Sequence, residues 1–349
     1  MVAEVKRLPI PEKYLPGLDP EFRKLWDEHG AYTTRADERP VEEYRENPAS
    51  LSFTYPVWAG PQVFNVRDWK VPVSNPDGEV TVRVYTPQGP GPFPVHINTH
   101  GGGWTVGGLG SEAAWCREMC NRAGIVVVDV DYRLSPEVRF PVALYDSWTA
   151  IKWVISHAAE LNVKPESLSF GGLSAGGQMS AVMAHFARDE GIDVKLQLLT
   201  VGAFDFRQVP ATGKDIEGPV PYESFVTYKD VPWGPLGRLQ WFLDHWIGTD
   251  PEVREKTFND WRCSPVLAPS FQNLAPAFIV TAEFDPGRDE AEYYGTLLRE
   301  AGNDVVIKRY PGMPHAFAHY NHPERGLSLS REYIKDTAAA LVRAHGLAP

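Results

Sequence analysis

The chain has 349 residues, of which 43% are hydrophobic and 12% aromatic, enough to bury a large core and too many for a disordered chain. Its net charge of -11 argues against nucleic acid and anionic membrane surfaces as partners, because both are bound mainly through lysine and arginine. The three cysteines form no Cys-x-x-Cys pair and no Cys/His zinc pattern, so we predict free thiols and no metal site.

The N-terminal part of the chain mixes charged residues and prolines. Its first residues contain no apolar run long enough for a signal peptide, and no later run could span a bilayer. We therefore expect a soluble, cytoplasmic protein without a transmembrane segment. Helical pieces broken by prolines, such as EFRKLWDEHG, predict that residues 1–55 form a segment distinct from a main domain at 56–349.

Short apolar runs bounded by turn residues predict eight strands in the main domain. They are VFNVRDW (63–69), VTVRVYTP (80–87), FPVHINTH (93–100), GIVVVDVDY (124–132), SLSFGGLS (167–174), LQLLTVGAF (196–204), FIVTAEFD (278–285) and VVIKRYPG (305–312). From residue 93 onward they alternate with helical stretches at 112–124, 143–162, 176–191, 289–302 and 329–346. This alternation predicts an α/β fold with a mainly parallel sheet flanked by helices.

Residues 206–262 interrupt the alternation. They are rich in proline, glycine and aromatic residues and contain one predicted helix, LGRLQWFLDHWIG (236–248). An insertion at this place would cover the carboxyl edge of the sheet, where open α/β folds bind ligands. With residues 1–55 it is predicted to form a cap; a passive surface excursion is the alternative.

The stretch Gly172-Leu173-Ser174-Ala175-Gly176 matches Gly-x-Ser-x-Gly between a predicted strand and a predicted helix. In this context the tight turn exposes the serine hydroxyl at the edge of the sheet, as a nucleophile requires. We predict that Ser174 is a catalytic nucleophile. A structural strand–turn–helix is the alternative.

A serine hydroxyl needs a base to accept its proton, and the chain order for this motif is serine, acid, histidine. Asp285 directly follows the apolar strand FIVTA, and His315 follows VVIKRY, so both are expected at the same sheet edge as Ser174. Asp289 is a rival acid, although it suits the first turn of a helix better. The rival bases are His319 and His322, whose spacing from His315 only superficially resembles a metal site.

The stretch HGGGWTVGGLG begins at His100 and follows a predicted strand. It lacks the Lys-Ser/Thr of a phosphate loop, and Val106 stands where a dinucleotide fingerprint needs its third glycine. A glycine run upstream of the serine is instead typical of an oxyanion hole, whose second donor is the N–H of Ala175.

Five ordered motifs together resemble the hormone-sensitive-lipase-like group of α/β-hydrolases, over roughly residues 60–345. They are HGGGW, DVDYRLSPE followed by FPVALYD, GGLSAGG, DPGRDE and GMPHAF. The resemblance implies an α/β-hydrolase fold with an eight-stranded sheet and the triad Ser174, Asp285 and His315. It also implies an oxyanion hole of Gly102, Gly103 and Ala175, a cap over the acyl and alcohol pockets, and Asp131, Tyr132 and Arg133 bracing the catalytic loops.

Two residues depart from the group's pattern. Leu173 stands where the group usually has Asp or Thr, and Gln178 stands where it usually has Asn. Neither change removes a catalytic group, but Leu173 makes the surroundings of the nucleophile more apolar and leaves substrate choice open.

The sequence thus predicts a serine carboxylesterase that acts on a small-molecule ester of short to medium chain and needs no cofactor. A lactonase, an amidase or a natural-product biosynthetic hydrolase with the same triad is the first alternative. A non-catalytic small-molecule receptor is the second, a nucleotide-binding protein is the weakest, and the sequence leaves a homodimer open. The aromatic residues of the cap could line an apolar pocket or belong to the core: Trp104, Phe206, Trp233, Trp241 and Phe242.

Overall fold

The computed structural model describes residues 8–46 and 58–348. Within them, an eight-stranded sheet has the order β1-β2-β4-β3-β5-β6-β7-β8. The strands are β1 (Asn65–Val73), β2 (Gly78–Thr86), β3 (Phe93–Thr99), β4 (Val126–Asp131), β5 (Val163–Leu173), β6 (Val194–Thr200), β7 (Ala277–Phe284) and β8 (Val305–Pro314). Each of the eight overlaps a predicted strand.

The sheet is mainly parallel. Only β1–β2 and β2–β4 pair antiparallel, while the pairs from β4 across to β8 are parallel. The carboxyl ends of β3, β5, β7 and β8 therefore meet at one edge, where loops carry the residues that follow each strand. The predicted eight-stranded, mainly parallel sheet of an α/β-hydrolase is confirmed.

Helices cover both faces of the sheet. The described helices of the main domain are α3 (Ala113–Ala123), α4 (Val142–Ser156), α5 (Ala158–Leu161), α6 (Ala175–Asp189), α10 (Arg288–Glu300) and α11 (Ser328–Ala344). Alternate residues of the central strands face opposite layers: Val126 and Val128 belong to the buried cluster that includes α4, α6 and α10, whereas Val127 belongs to the one that includes α3 and α11. Burial on both faces explains the near-continuous apolar strands.

Two predicted elements differ from the structure. The helix predicted at 143–162 is broken, because His157 leaves helical geometry at φ -106° and ψ 19° between α4 and α5. The strand predicted at 196–204 ends at Thr200, since Val201 adopts a left-handed backbone with φ 43° that an extended strand cannot contain.

The remaining helices belong to the two segments predicted as a cap. The N-terminal one carries α1 (Pro20–Glu28) and α2 (Val41–Glu46), and the insertion carries α7 (Glu223–Thr227), α8 (Leu236–Trp246) and α9 (Pro251–Phe258). Phe22 of α1 packs edge-on against Trp233 of the insertion, with ring centroids 5.0 Å apart. The two segments therefore touch each other; residues 1–7 and 47–55 of the predicted segment lie outside the described part.

No helix in the described ranges is both long and apolar enough to cross a membrane.

Candidate active site

Ser174 occupies the sharp turn between β5 and α6. Its backbone has φ 55° and ψ -112°, a conformation that costs a non-glycine residue about 1–3 kcal/mol. The turn persists because the Ser174 N–H donates to the Thr200 carbonyl at 2.8 Å and small neighbours let the strands approach. A Cβ on Gly176 would lie 1.9 Å from the Thr99 carbonyl oxygen, so only glycine fits there. The turn aims the hydroxyl out of the sheet at the start of a helix.

His315 connects Ser174 to Asp285. Its Nε2 lies 2.8 Å from the Ser174 Oγ, and its Nδ1 lies 2.7 Å from Asp285 Oδ2. Asp285 is buried, and its other oxygen accepts the Gly287 N–H at 2.9 Å. A carboxylate only accepts, so Nδ1 carries the proton and Nε2 is left to accept from the serine hydroxyl. The structure thus brings the three predicted residues into one hydrogen-bonded chain.

The rival residues have other partners. Asp289 lies in the first turn of α10, where it accepts the Ser224 N–H at 2.7 Å and pairs with Arg288. His319 pairs with Glu112, and His322 accepts backbone N–H groups of the turn that follows it. In the described ranges no group of three His, Cys, Asp or Glu is arranged to hold a metal ion.

Residues 101–110, called the glycine loop below, lie beside Ser174. Gly102 and Gly103 have φ of 119° and 56°, and the carbonyl of Gly102 accepts the N–H groups of Thr105 and Val106. Among the described residues, nothing accepts the N–H of Gly102 or Gly103. Ala175 is the first residue of α6, so its N–H also has no acceptor within the helix. Three unused donors are therefore available near one hydroxyl.

Side chains behind the loop hold it in place. The Tyr132 hydroxyl donates to the His100 carbonyl at 2.8 Å, and the two rings stack with centroids 4.1 Å apart. The Arg133 guanidinium instead pairs with Asp146 of α4 and donates to the Pro76 carbonyl, so these contacts are not with the loop. From the N-terminal segment, Arg45 reaches the Thr105 carbonyl at 2.7 Å.

Two buried carboxyl groups near the site have raised pKa values. Burial, followed by the charges of Asp205 and Asp285, raises the pKa of Glu290 well above its usual range. Its oxygens accept from the Phe204 N–H and the Gln208 amide. Burial, followed by the Glu112 charge, raises the pKa of Asp129 to about 8.

Sequence reasoning assigned no role to Glu290 or Asp129. Glu290 lies inside the DPGRDE motif, which was the available signal. Asp129 is likewise the first residue of the DVDYRLSPE motif, so the same kind of signal was available for it.

A cavity of about 870 Å³ opens over the hydrogen-bonded chain. Besides Ser174 and His315, its wall includes many apolar residues, among them Trp104, Val106, Phe206, Trp233, Leu239 and Phe242. Trp104 also stacks face to face on Trp246 of α8, with centroids 3.6 Å apart. Of the five aromatic residues considered from the sequence, only Trp241 is absent from the described wall.

Comparison with known proteins identifies the fold family. The family model for the alpha/beta hydrolase fold matches residues 96–319. The chain belongs to the α/β-hydrolase fold family. The predicted resemblance to its hormone-sensitive-lipase-like group is confirmed by this match and by the similar ester hydrolases described next.

Three similar proteins illustrate the likeness. The chain is 38% identical to the carboxylic ester hydrolase LipN of Mycobacterium tuberculosis over 74% of its own length and 66% of LipN. It is 36% identical to the carboxylesterase NlhH of the same species, over 69% of the chain and 72% of NlhH. The match thus spans about two thirds of these relatives' lengths. A solved hyperthermophilic esterase from the archaeon Pyrobaculum calidifontis has a TM-score of 0.80 at 31% identity, covering 94% of this chain and 98% of that one.

The two departures from the hormone-sensitive-lipase-like pattern have structural counterparts in this α/β-hydrolase. Gln178 is buried, and its amide donates to the carbonyls of Arg262 and Cys263 at 2.8 and 3.0 Å, so it ties α6 to the end of the insertion. Leu173 lies buried in the cavity wall, beside Gly101.

Proposed function

We propose that this protein is a serine carboxylesterase whose triad is Ser174, His315 and Asp285. The observation that carries the proposal is the hydrogen-bonded chain from Asp285 through His315 to Ser174 Oγ, at 2.7 and 2.8 Å, beside unused backbone N–H groups. The ester hydrolase names of its relatives support the same reaction class.

The mechanism follows from the donors and acceptors. Ser174 Oγ attacks the ester carbonyl carbon while His315 Nε2 accepts its proton, and Asp285 stabilises the imidazolium that forms. The carbonyl oxygen becomes an oxyanion, which the N–H groups of Gly102, Gly103 and Ala175 stabilise. His315 then gives its proton to the leaving alcohol, and a water activated by the same histidine cleaves the acyl-enzyme. No step requires a cofactor.

The cavity supports an ester with an apolar portion. Helix α8 brings Phe242 over the glycine loop: a Cβ added to Gly103 would lie 2.3 Å from the Phe242 ring. The segments 8–46 and 206–262 would therefore act as a cap that limits acyl length to short and medium chains. Such a substrate is a small molecule, and a homodimer stays a prediction.

The test is hydrolysis of p-nitrophenyl esters from acetate to decanoate by the wild type and by Ser174→Ala. The matched control is Ser156→Ala, which removes an exposed hydroxyl at the end of α4. We expect turnover by the wild type and the control and loss of nearly all activity in Ser174→Ala. A fluorophosphonate probe should label the wild type but not Ser174→Ala.

The outcomes separate the alternatives. A folded wild type that hydrolyses no ester but takes the label would favour a specialised lactonase, amidase or biosynthetic hydrolase. A wild type that neither hydrolyses nor takes the label would refute the serine mechanism and favour a receptor.

A further inference from the structure

A second carboxylate–imidazole pair lies next to the proposed triad. Glu112 Oε1 is 2.9 Å from His319 Nε2 and accepts the Gly101 N–H at 3.3 Å. Glu112 precedes α3, His319 ends the short 3-10 helix Phe317–His319 that follows His315, and Gly101 begins the glycine loop. One carboxylate therefore joins three segments that the proposed mechanism depends on.

The burial of the Glu112 carboxylate has a cost in free energy. The residue is 5% exposed, and its Oε2 is buried with no hydrogen-bond partner among the described residues. Burying a carboxylate costs several kcal/mol unless charged or polar groups compensate for it. His319 supplies the compensating donor, and both residues line the wall of the same cavity as Ser174.

The side chain of Leu173 offers no acceptor for the Gly101 N–H. The resemblance predicts Asp or Thr at position 173, immediately before the nucleophile, but a leucine side chain cannot accept a hydrogen bond. A Cβ built on Gly101 would lie 2.8 Å from Leu173 Cδ2 and 3.6 Å from Glu112 Oε1, so both side chains adjoin Gly101. The acceptor for the Gly101 N–H is thus the residue that precedes α3, not a residue of the nucleophile turn.

We propose that Glu112 and His319 are a positioning pair that holds the glycine loop in register with the loop of His315. Glu112 binds the N–H of Gly101 and leaves those of Gly102 and Gly103 for the developing oxyanion. His319 fixes the carboxylate and, through the turn Phe317–His319, ties it to the catalytic histidine. The inference rests on the proposed esterase function and adds two residues to its machinery.

The experiment compares Glu112→Ala, Glu112→Gln, His319→Ala and His319→Gln with Glu118→Ala, a control on α3, the helix that follows Glu112; the partner of Glu118 is Arg122. The readouts are kcat and KM for p-nitrophenyl butyrate and the inhibition constant of a trifluoromethyl ketone, which forms a tetrahedral adduct with serine. A hydrogen bond to a charged group corresponds to roughly 10- to 100-fold in rate. We expect Glu112→Ala to lose about that factor in kcat with little change in KM, and to bind the ketone correspondingly more weakly.

The conservative variants distinguish positioning from bulk stability. In His319→Gln the amide nitrogen can take the place of Nε2, so most of the activity lost in His319→Ala should return. An aspartate at 173 would offer a carboxylate beside Gly101, so Glu112→Ala combined with Leu173→Asp should regain at least part of the lost kcat.

Several results would overturn the inference. One is a folded Glu112→Ala with kcat within about threefold of the wild type; another is equal kcat for His319→Ala and the wild type, which decides the matter even if Glu112→Ala does not fold. If the wild type hydrolyses no ester, the proposed function fails first. The proposed role of the pair is then tested by the rate at which a fluorophosphonate labels Ser174. An unchanged labelling rate in His319→Ala would refute that role.

Discussion

Gly102→Ala tests the geometry of the proposed oxyanion hole with the smallest possible change. Gly102 has φ 119°, which side-chain-bearing residues rarely adopt, and a Cβ there would lie 2.0 Å from the Val106 carbonyl oxygen. Val106 is bound into the same turn, because its N–H donates to the Gly102 carbonyl at 2.9 Å. The added Cβ is bonded directly to the Gly102 backbone, and the atom that it meets is a backbone atom of Val106, so the loop itself must move to relieve the contact.

The magnitude follows from what the loop displaces. Losing one oxyanion-hole donor costs about 2.7–4 kcal/mol, or 100- to 1,000-fold in kcat. We expect Gly102→Ala to lose activity in that range while KM changes little, since the interaction strengthens only in the transition state. Gly103→Ala should lose less if Phe242 rotates away, because the nearest atoms there belong to a side chain.

The assay is steady-state hydrolysis of p-nitrophenyl butyrate, with thermal unfolding to confirm that each variant folds. Gly110→Ala is the control, because a Cβ at that glycine of the same loop meets no atom within 4 Å. A folded Gly102→Ala that keeps kcat within about threefold of the wild type would show that the Gly102 and Gly103 N–H groups do not bind the oxyanion.

Three further predictions concern stability. Gln178→Ala leaves the buried carbonyl of Cys263 and the partly buried one of Arg262 without their donor. It should lower the free energy of unfolding by about 1–3 kcal/mol in urea titrations; a wild-type midpoint would contradict this. The raised pKa of Asp129 means that the wild type loses stability as pH rises from about 4 to 8. Asp129→Asn carries no titrating group there, so it should have the higher melting temperature at pH 8, and equal melting temperatures at pH 8 would refute this. Burial lowers the pKa of His345 to about 4, so as pH drops from about 6.5 towards 4 the unfolded chain takes up the proton first and the folded state loses stability. In His345→Gln the melting temperature should therefore fall less steeply over this pH range. An unchanged slope would exclude this histidine as the cause.

Much of the site could be predicted because its residues follow strands. Asp285 and His315 each come directly after an apolar run, and parallel strands bring their carboxyl ends to one edge. The places of these residues in the sequence were therefore enough to predict that they lie at the same edge of the sheet. Ser174 was identified in the same way, from a glycine-flanked turn between strand and helix.

The parts that could not be predicted depend on contacts between distant segments. Glu112 and His319 are 207 positions apart, and no motif in the sequence predicts that they pair. The insertion was harder still: helix α9 was missed, although Asp250 caps it and Pro251 opens it, because its short sequence has little apolar periodicity. Packing among proline-rich and aromatic segments decides such regions, and no local pattern records it.

The stack of Trp104 on Trp246 has a consequence for protein engineering. One indole belongs to the glycine loop and the other to α8, so one of the contacts that support the loop is encoded within the insertion. A chimaera that receives the whole of residues 206–262 from another esterase would lose that contact, and its turnover as well as its selectivity would change. Exchange boundaries placed inside the insertion, with α8 retained as part of the host, would separate the two properties.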